Sequence, residues 1–138
     1  TTFQGTATSA QYADLAEIYS SDQDYEAGTV VKLGGSAEVT ATTSFNDSEV
    51  FGVVSTNPAY LMNSGLQGEF VTPVALTGRV PCKVVGPVRK GDLLVTSSIP
   101  GVACRSESWV GGAVIGKSIE DCPKEFEVRL IEIAIGSI

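Results

Sequence analysis

Ser9, Ser55, Asp92, Lys117 and Glu120 are the residues of this 138-residue chain whose types could do covalent chemistry. A serine hydroxyl can serve as a nucleophile, and an amine or carboxylate can take its proton. No histidine occurs, which excludes a Ser-His-Asp or Cys-His arrangement and most catalytic zinc sites. No spacing ties the five residues into a set, and an exposed Ser or Asp in a β-rich sequence ordinarily shapes a turn. Thr1 invites an N-terminal-nucleophile reading with its own amine as base, but that chemistry needs a pocket and Thr1 opens a polar stretch. A start at Thr1 rather than Met implies trimming by a protease, by self-cleavage or in preparation. Gly34-Gly35 and Gly111-Gly112 lack the spacing and the lysine or acidic partner of a phosphate loop and read as turns. Cys82, Cys104 and Cys122 are odd in number and widely spaced. They indicate neither a disulfide framework nor a zinc site, and are expected as reduced, partly buried apolar groups. No metal, cofactor or multi-turnover activity is expected.

The elements that would position these residues are β-strands. The length suits one domain with one core. With 43% hydrophobic and 18% charged residues, disorder is excluded. A net charge of −7 repels a phosphate backbone, so nucleic acid is not an expected partner. No apolar run approaches the ~20 residues of a membrane span, and membrane insertion is not expected.

Residues 1–10 alternate small and polar groups and read as an extended lead-in to a single β-rich domain over 11–138. Tyr12, Leu15, Ala16 and Tyr19 fall at i, i+3, i+4 and i+7, which predicts one short helix over 10–19, capped by Thr8 or Ser9 with Gln11 and ended by Ser20-Ser21-Asp22. Strands are expected at 29–33, 37–43, 50–56, 72–85, 93–96, 102–105, 113–118 and 126–135, with turns at Gly34-Gly35 and Asn57-Pro58. Pro73, Gly78 and Pro81 mark the long 72–85 stretch as an edge or a bent strand serving two parts of a sheet. Gly28-Thr29-Val30-Val31, the Gly34-Gly35 turn, Val39 and Gly52-Val53-Val54 can be laid over Gly91-Asp92-Leu93-Leu94, Pro100-Gly101, Val102 and Ala113-Val114-Ile115. Two similar β-modules packed face to face would give that pattern, and so would chance matching of short apolar runs. The expected fold is all-β, a sandwich or barrel-like pair of modules with one N-terminal helix.

Three segments carry a resemblance: Gly5-Thr6-Ala7-Thr8-Ser9-Ala10-Gln11-Tyr12-Ala13-Asp14-Leu15-Ala16-Glu17, then Gly52-Val53-Val54-Ser55-Thr56-Asn57-Pro58-Ala59-Tyr60-Leu61-Met62-Asn63, then Val74-Ala75-Leu76-Thr77-Gly78-Arg79-Val80-Pro81-Cys82-Lys83-Val84. Together they resemble the C-terminal intramolecular-chaperone or "peptidase G2" domain of tailed-bacteriophage fibre and appendage proteins, of the kind found in marine T4-like phages. The rhythm Gly-Asp-Leu-Leu, Gly-Val-Ala, Val-Ile-Gly also resembles the β-clip or β-tulip decoration proteins of phage capsids.

The resemblance implies a virion structural protein, assembled in the host cytoplasm, that forms a homotrimer coaxial with a shaft and sets the register of its three chains. Other virion proteins, and for some members the host cell surface, are the implied partners. It leaves open a single-turnover self-cleavage near the domain's N-terminus, and a capsid decoration or host-surface-binding role. Tyr60, Leu61 and Met62 form an apolar cluster between turn residues, either a lid over the core or a plug into a neighbouring subunit. Tyr12, Leu15 and Tyr19 would pack on their own sheet or make a three-fold contact. Arg79 would pair with a carboxylate across the interface or on the surface. These seven residues are the candidate subunit interface.

Overall fold

The computed structural model describes residues 14–136, which form ten strands of one sheet and no helix: β1 (Asp14–Ser20), β2 (Val30–Leu33), β3 (Val39–Ala41), β4 (Val50–Val54), β5 (Tyr60–Met62), β6 (Val71–Val85), β7 (Leu93–Thr96), β8 (Ala103–Arg105), β9 (Val114–Ser118) and β10 (Val128–Ile135). The long strand expected at 72–85 is β6, and it does serve two parts of the sheet. Its C-terminal half, with β8, β7, β9 and β10, closes a five-stranded barrel, because β10 pairs back along β6 from Val128↔Val85 to Ile135↔Gly78. Its N-terminal half pairs with β4 and β1, β2 joins β4 to β3, and a Ser21↔Val39 bridge directly after β1 closes a second ring.

The two rings are built alike. In each, one strand lies between its two successors, β3-β2-β4 and β8-β7-β9. The register slips at Val31/Lys32 in the first and at Leu94/Val95 in the second, the same place in the pattern. The parallel Ser21↔Val39 bridge has its counterpart in Val84↔Ala103. The alignment that this register dictates differs from the sequence overlay at two places: Val39 matches Ala103, not Val102, and Gly52 matches Gly116, not Ala113, so Val50-Phe51-Gly52 lies over Val114-Ile115-Gly116.

Alternation along each strand sends residues to opposite faces, and the two faces serve two cores. Val31, Val39, Val54 and Val74 fill the first barrel under Tyr19, Tyr25, Phe51 and Leu76. Their strand neighbours Val30, Val53 and Ala75 face the other way and join the larger core of the second barrel, among Val80, Cys82, Leu94, Ile115 and Ile133. Cys82 and Cys122 are buried there, and burial pushes the Cys82 thiol up to about 12.

The helix expected over 10–19 is a correction. Residues 10–13, with Tyr12 and the capping residues Thr8, Ser9 and Gln11, lie outside the described residues, and Asp14–Ser20 is strand β1. Asp14, Ala16 and Ile18 point inward with period 2, and seven residues ladder onto β6 from Asp14↔Gly78 to Ser20↔Val71. A two-turn apolar stripe is too short to hold a helix by itself, whereas a strand gains a full row of backbone hydrogen bonds from a neighbour far away in sequence.

Candidate functional site

β5 is three residues long and pairs in parallel with β1, Leu15↔Tyr60, Ala16↔Leu61 and Glu17↔Met62. The segment read as a lid or a plug is thus an edge strand, and it covers no core: Tyr60 is 74% exposed, Leu61 41% and Met62 40%. Asn63, in the left-handed region at φ 59°, ends it and donates from Nδ2 to the Ile18 carbonyl at 3.3 Å. Phe70 and Val71, at the start of β6, add to the exposed apolar surface of this barrel.

Of the other interface candidates, Leu15 lies beside Tyr60 and is half-buried. Tyr19 packs edge-on against Phe51, ring centres 5.0 Å apart, and donates to Glu17 Oε1 at 2.8 Å. It caps its own barrel, and burial and the neighbouring carboxylate push its phenol up to about 12. Arg79 donates from Nε to Glu132 Oε1 of the same chain at 2.7 Å, across the β6–β10 pair. The structure therefore brings Leu15 together with Tyr60, Leu61 and Met62, and engages Arg79 elsewhere.

The candidate nucleophiles and bases are not assembled into one site. Ser9 and Thr1 lie outside the described residues. Asp92 pairs with Arg105 at 3.3 Å and accepts the Arg89 amide at 2.8 Å, Lys117 lies opposite Leu93, and Glu120 accepts the Glu132 amide at 2.9 Å. All three belong to the second barrel. Ser55 is buried at the end of β4, its amide donating to the Pro73 carbonyl at 3.0 Å.

The group beside Ser55 belongs to no motif of the sequence. Asp14 is 1% exposed, and neither carboxylate oxygen has a hydrogen-bond partner of acceptable geometry among the described residues. Its backbone carbonyl accepts the Ala59 amide at 3.0 Å, so the acid is held at the junction of β1 with the turn before β5. Burial raises its pKa, and the nearby Ser55 hydroxyl opposes that only in part. The fold therefore favours protonated Asp14. The contribution is fully favourable below the unfolded-state pKa and is lost as pH rises through the raised folded value. Asp22 and Asp47 have the opposite sign. Tyr25 and Thr40 hydroxyls hold the first down and the Glu49 amide with Lys32 the second, so their stabilisation is lost as pH falls. Asp14→Asn, which removes the negative charge that burial disfavours, is expected to raise the melting temperature at pH 7 by several degrees. The gain should shrink as pH is lowered toward 4. A thermal melt series from pH 4 to 8 in which parent and variant stay parallel would refute it.

A groove of about 390 Å³ at the second barrel is walled by Val85, Pro87, Ile99, Cys104 and Phe126, joined by Phe45 from the loop between β3 and β4. Arg105 also lines it, and with Pro87 it lines the adjoining cleft with Arg89, Asp92 and Glu107. Phe126 was read as the first residue of a strand. It is instead a turn residue at φ 65° and is 82% exposed.

The sequence matches no family model and no curated protein. By structure, the chain is similar to the crystal structure of the bacteriophage phi29 gene product 12 C-terminal fragment, with a TM-score of 0.62 and 13% identity, over 88% of this chain and 99% of that one. At that identity the likeness establishes a shared fold.

Proposed function

We propose that this chain is the C-terminal assembly domain of a phage tail appendage, a virion structural protein that associates with two further copies of itself and sets the register of the chains that precede it. The observation that carries the reading is the fold shared with the phi29 gene product 12 C-terminal fragment along nearly the whole of both chains, joined to the sequence resemblance in three separate segments. The apolar edge strand supports it, since an apolar patch left exposed among the described residues marks an interaction surface. Solution mass by light scattering over a concentration series tests it. A stable trimer is the expected result; a monomer at every concentration would overturn it and favour a decoration or host-surface-binding module.

A second reading is favoured by Asp14. A buried acid with raised pKa, beside a serine and adjoining the N-terminal segment, has the components of a single self-cleavage there, with Ser55 as nucleophile and Asp14 as proton acceptor or donor. Expression with the natural upstream sequence, followed by mass spectrometry, tests it: a shorter product lost in Ser55→Ala and Asp14→Asn is expected. An intact junction in the parent would exclude it.

A further inference from the structure

The two rings share one pattern, and β5 is not part of it. β4 returns to β6 through residues 55–70, whereas the corresponding return in the second ring, from β9 to β10, takes only 119–127. Both rings close without the longer excursion. The first is shut by the β1–β6, β4–β6, β2–β4 and β2–β3 ladders and the Ser21↔Val39 bridge, none of which passes through β5.

No residue of 56–70 is buried, so apolar packing does not fasten β5 to the barrel. What fastens it is β1. Three parallel pairings run from Leu15↔Tyr60 to Glu17↔Met62, the Ala59 amide donates to the Asp14 carbonyl at 3.0 Å, and Asn63 Nδ2 donates to the Ile18 carbonyl at 3.3 Å. A segment held by a few backbone bonds, with no buried side chain, opens at a lower free energy than the strands of the core.

Asp14 stands at the root of this attachment with both its main chain and its side chain. Its carbonyl holds the turn before β5, while its carboxyl lies buried beside Ser55, where the excursion departs, with neither oxygen partnered among the described residues. No charged group among them faces it. β6 presents the Gly78 backbone opposite Asp14 and Thr77 opposite Leu15, β4 ends at Ser55, and the turn at 56–59 contains no ionisable residue. The neighbouring charges on β1 and β6 are engaged elsewhere: Glu17 accepts from Tyr19, and Arg79 donates to Glu132.

Protonated, the carboxyl is a neutral group in a tight site. Ionised, it is a buried charge with no counter-ion, a state that water relieves. Lifting the 56–59 turn admits that water without opening either ring. We propose that Asp14 is a proton-operated latch on β5: protonated, it keeps the turn and β5 docked on β1, and ionised, it lets them detach while both barrels stay closed. Burial lifts its pKa above the ordinary 3.8 in the docked state, and hydration restores the ordinary value on detachment. Docking is therefore firmest at and below the detached-state value and weakens as pH rises, by about tenfold per pH unit for one proton, until the raised docked-state value is passed. The latch needs no second copy of the chain, so it stands apart from the self-association reading.

Amide exchange followed by NMR from pH 4 to 8, each rate divided by the intrinsic chemical rate at that pH, tests it in the parent chain. The Ala59 amide is expected to open far more often than those of Val54 and Lys83, which donate to the Thr29 and Gly28 carbonyls at 2.8 and 2.9 Å inside the barrels. Its opening should rise with pH and then level off. Asp14→Asn should hold it at the acid-end level throughout, with circular dichroism confirming the fold. Chymotrypsin at pH 7 gives a second readout: cleavage at Tyr60 or Leu61 should be faster in the parent than in Asp14→Asn. A flat parent profile would overturn the latch without recourse to any variant, and equal profiles in parent and Asp14→Asn would overturn it too. So would an Ala59 amide that opens no more often than the barrel amides, since β5 would then leave only when the whole domain unfolds.

Discussion

Gly116→Ala is expected to destabilise the chain by about 3 kcal/mol or more, the upper range for forcing an extra carbon into a close-packed position. A Cβ at Gly116 would lie 2.0 Å from the Ala134 carbonyl oxygen, 2.9 Å from its carbon and 3.0 Å from the Ile135 Cα, all backbone atoms of β10. No side-chain rotation relieves such an overlap, so β9 must move off β10 and the second barrel must open. Gly52, its counterpart in the first barrel, meets the Ala75 carbonyl oxygen at 2.5 Å and Val74 Cγ1 at 2.6 Å, and Gly52→Ala should cost somewhat less because one of its neighbours is a side chain. Gly111→Ala is the control, with nothing within 4 Å and an expected change within about 0.5 kcal/mol. Denaturant midpoints of the three variants check the order. A Gly116→Ala midpoint equal to that of Gly111→Ala would show that the two barrels do not share this close strand approach.

Arg79→Ala is expected to cost about 2 kcal/mol. Glu132 is 8% exposed, its Oε1 accepts from Arg79 Nε at 2.7 Å, and its Oε2 has no partner among the described residues. Losing the guanidinium leaves a buried carboxylate unpaired, a change worth about 3–5 kcal/mol in a fully buried pair. The Arg79 side chain is 43% exposed, which admits water and lowers the figure. Glu132→Gln removes the charge but keeps an acceptor, so it should be nearly neutral alone and should recover about 1 kcal/mol of the Arg79→Ala loss in the double variant. Melting curves of the four proteins complete the cycle. If Arg79 instead held two subunits together, Arg79→Ala would change the solution mass and leave the melting curve of the monomer as it was.

Most strands were legible in the sequence because their signal is local. β-branched runs bounded by Gly, Pro and Asn mark β2, β3, β4 and β7 to β10, and the boundaries differ from the expected ones by a few residues at most. The bent long strand was readable from Pro73, Gly78 and Pro81. Two elements were not legible in that way. β1 carries too few apolar residues for its period to be decided within eight positions, and its conformation comes from β6, more than fifty residues away. β5 consists of three exposed residues that pair only with β1. Once β1 is read as a helix, nothing local marks Tyr60–Met62 as a strand.

The candidate sites divide along the same line. From the sequence alone follow the absence of histidine, the acidic balance, the odd cysteines, the all-β class and the apolar character of Tyr60-Leu61-Met62, since each depends only on which residues are present or on a pattern a few residues long. Only the tertiary structure decides that Asp14 is buried beside Ser55, that Arg79 belongs to Glu132, and that Phe45, Ile99 and Phe126 line one groove. It also decides the repeat, which sequence overlay left open and placed three residues out at Gly52, because strand register is a property of backbone pairing between distant segments. Burial, ion pairing and groove formation depend on which distant strands become neighbours. A chain whose main strand serves two barrels at once brings together residues that no short window of sequence contains.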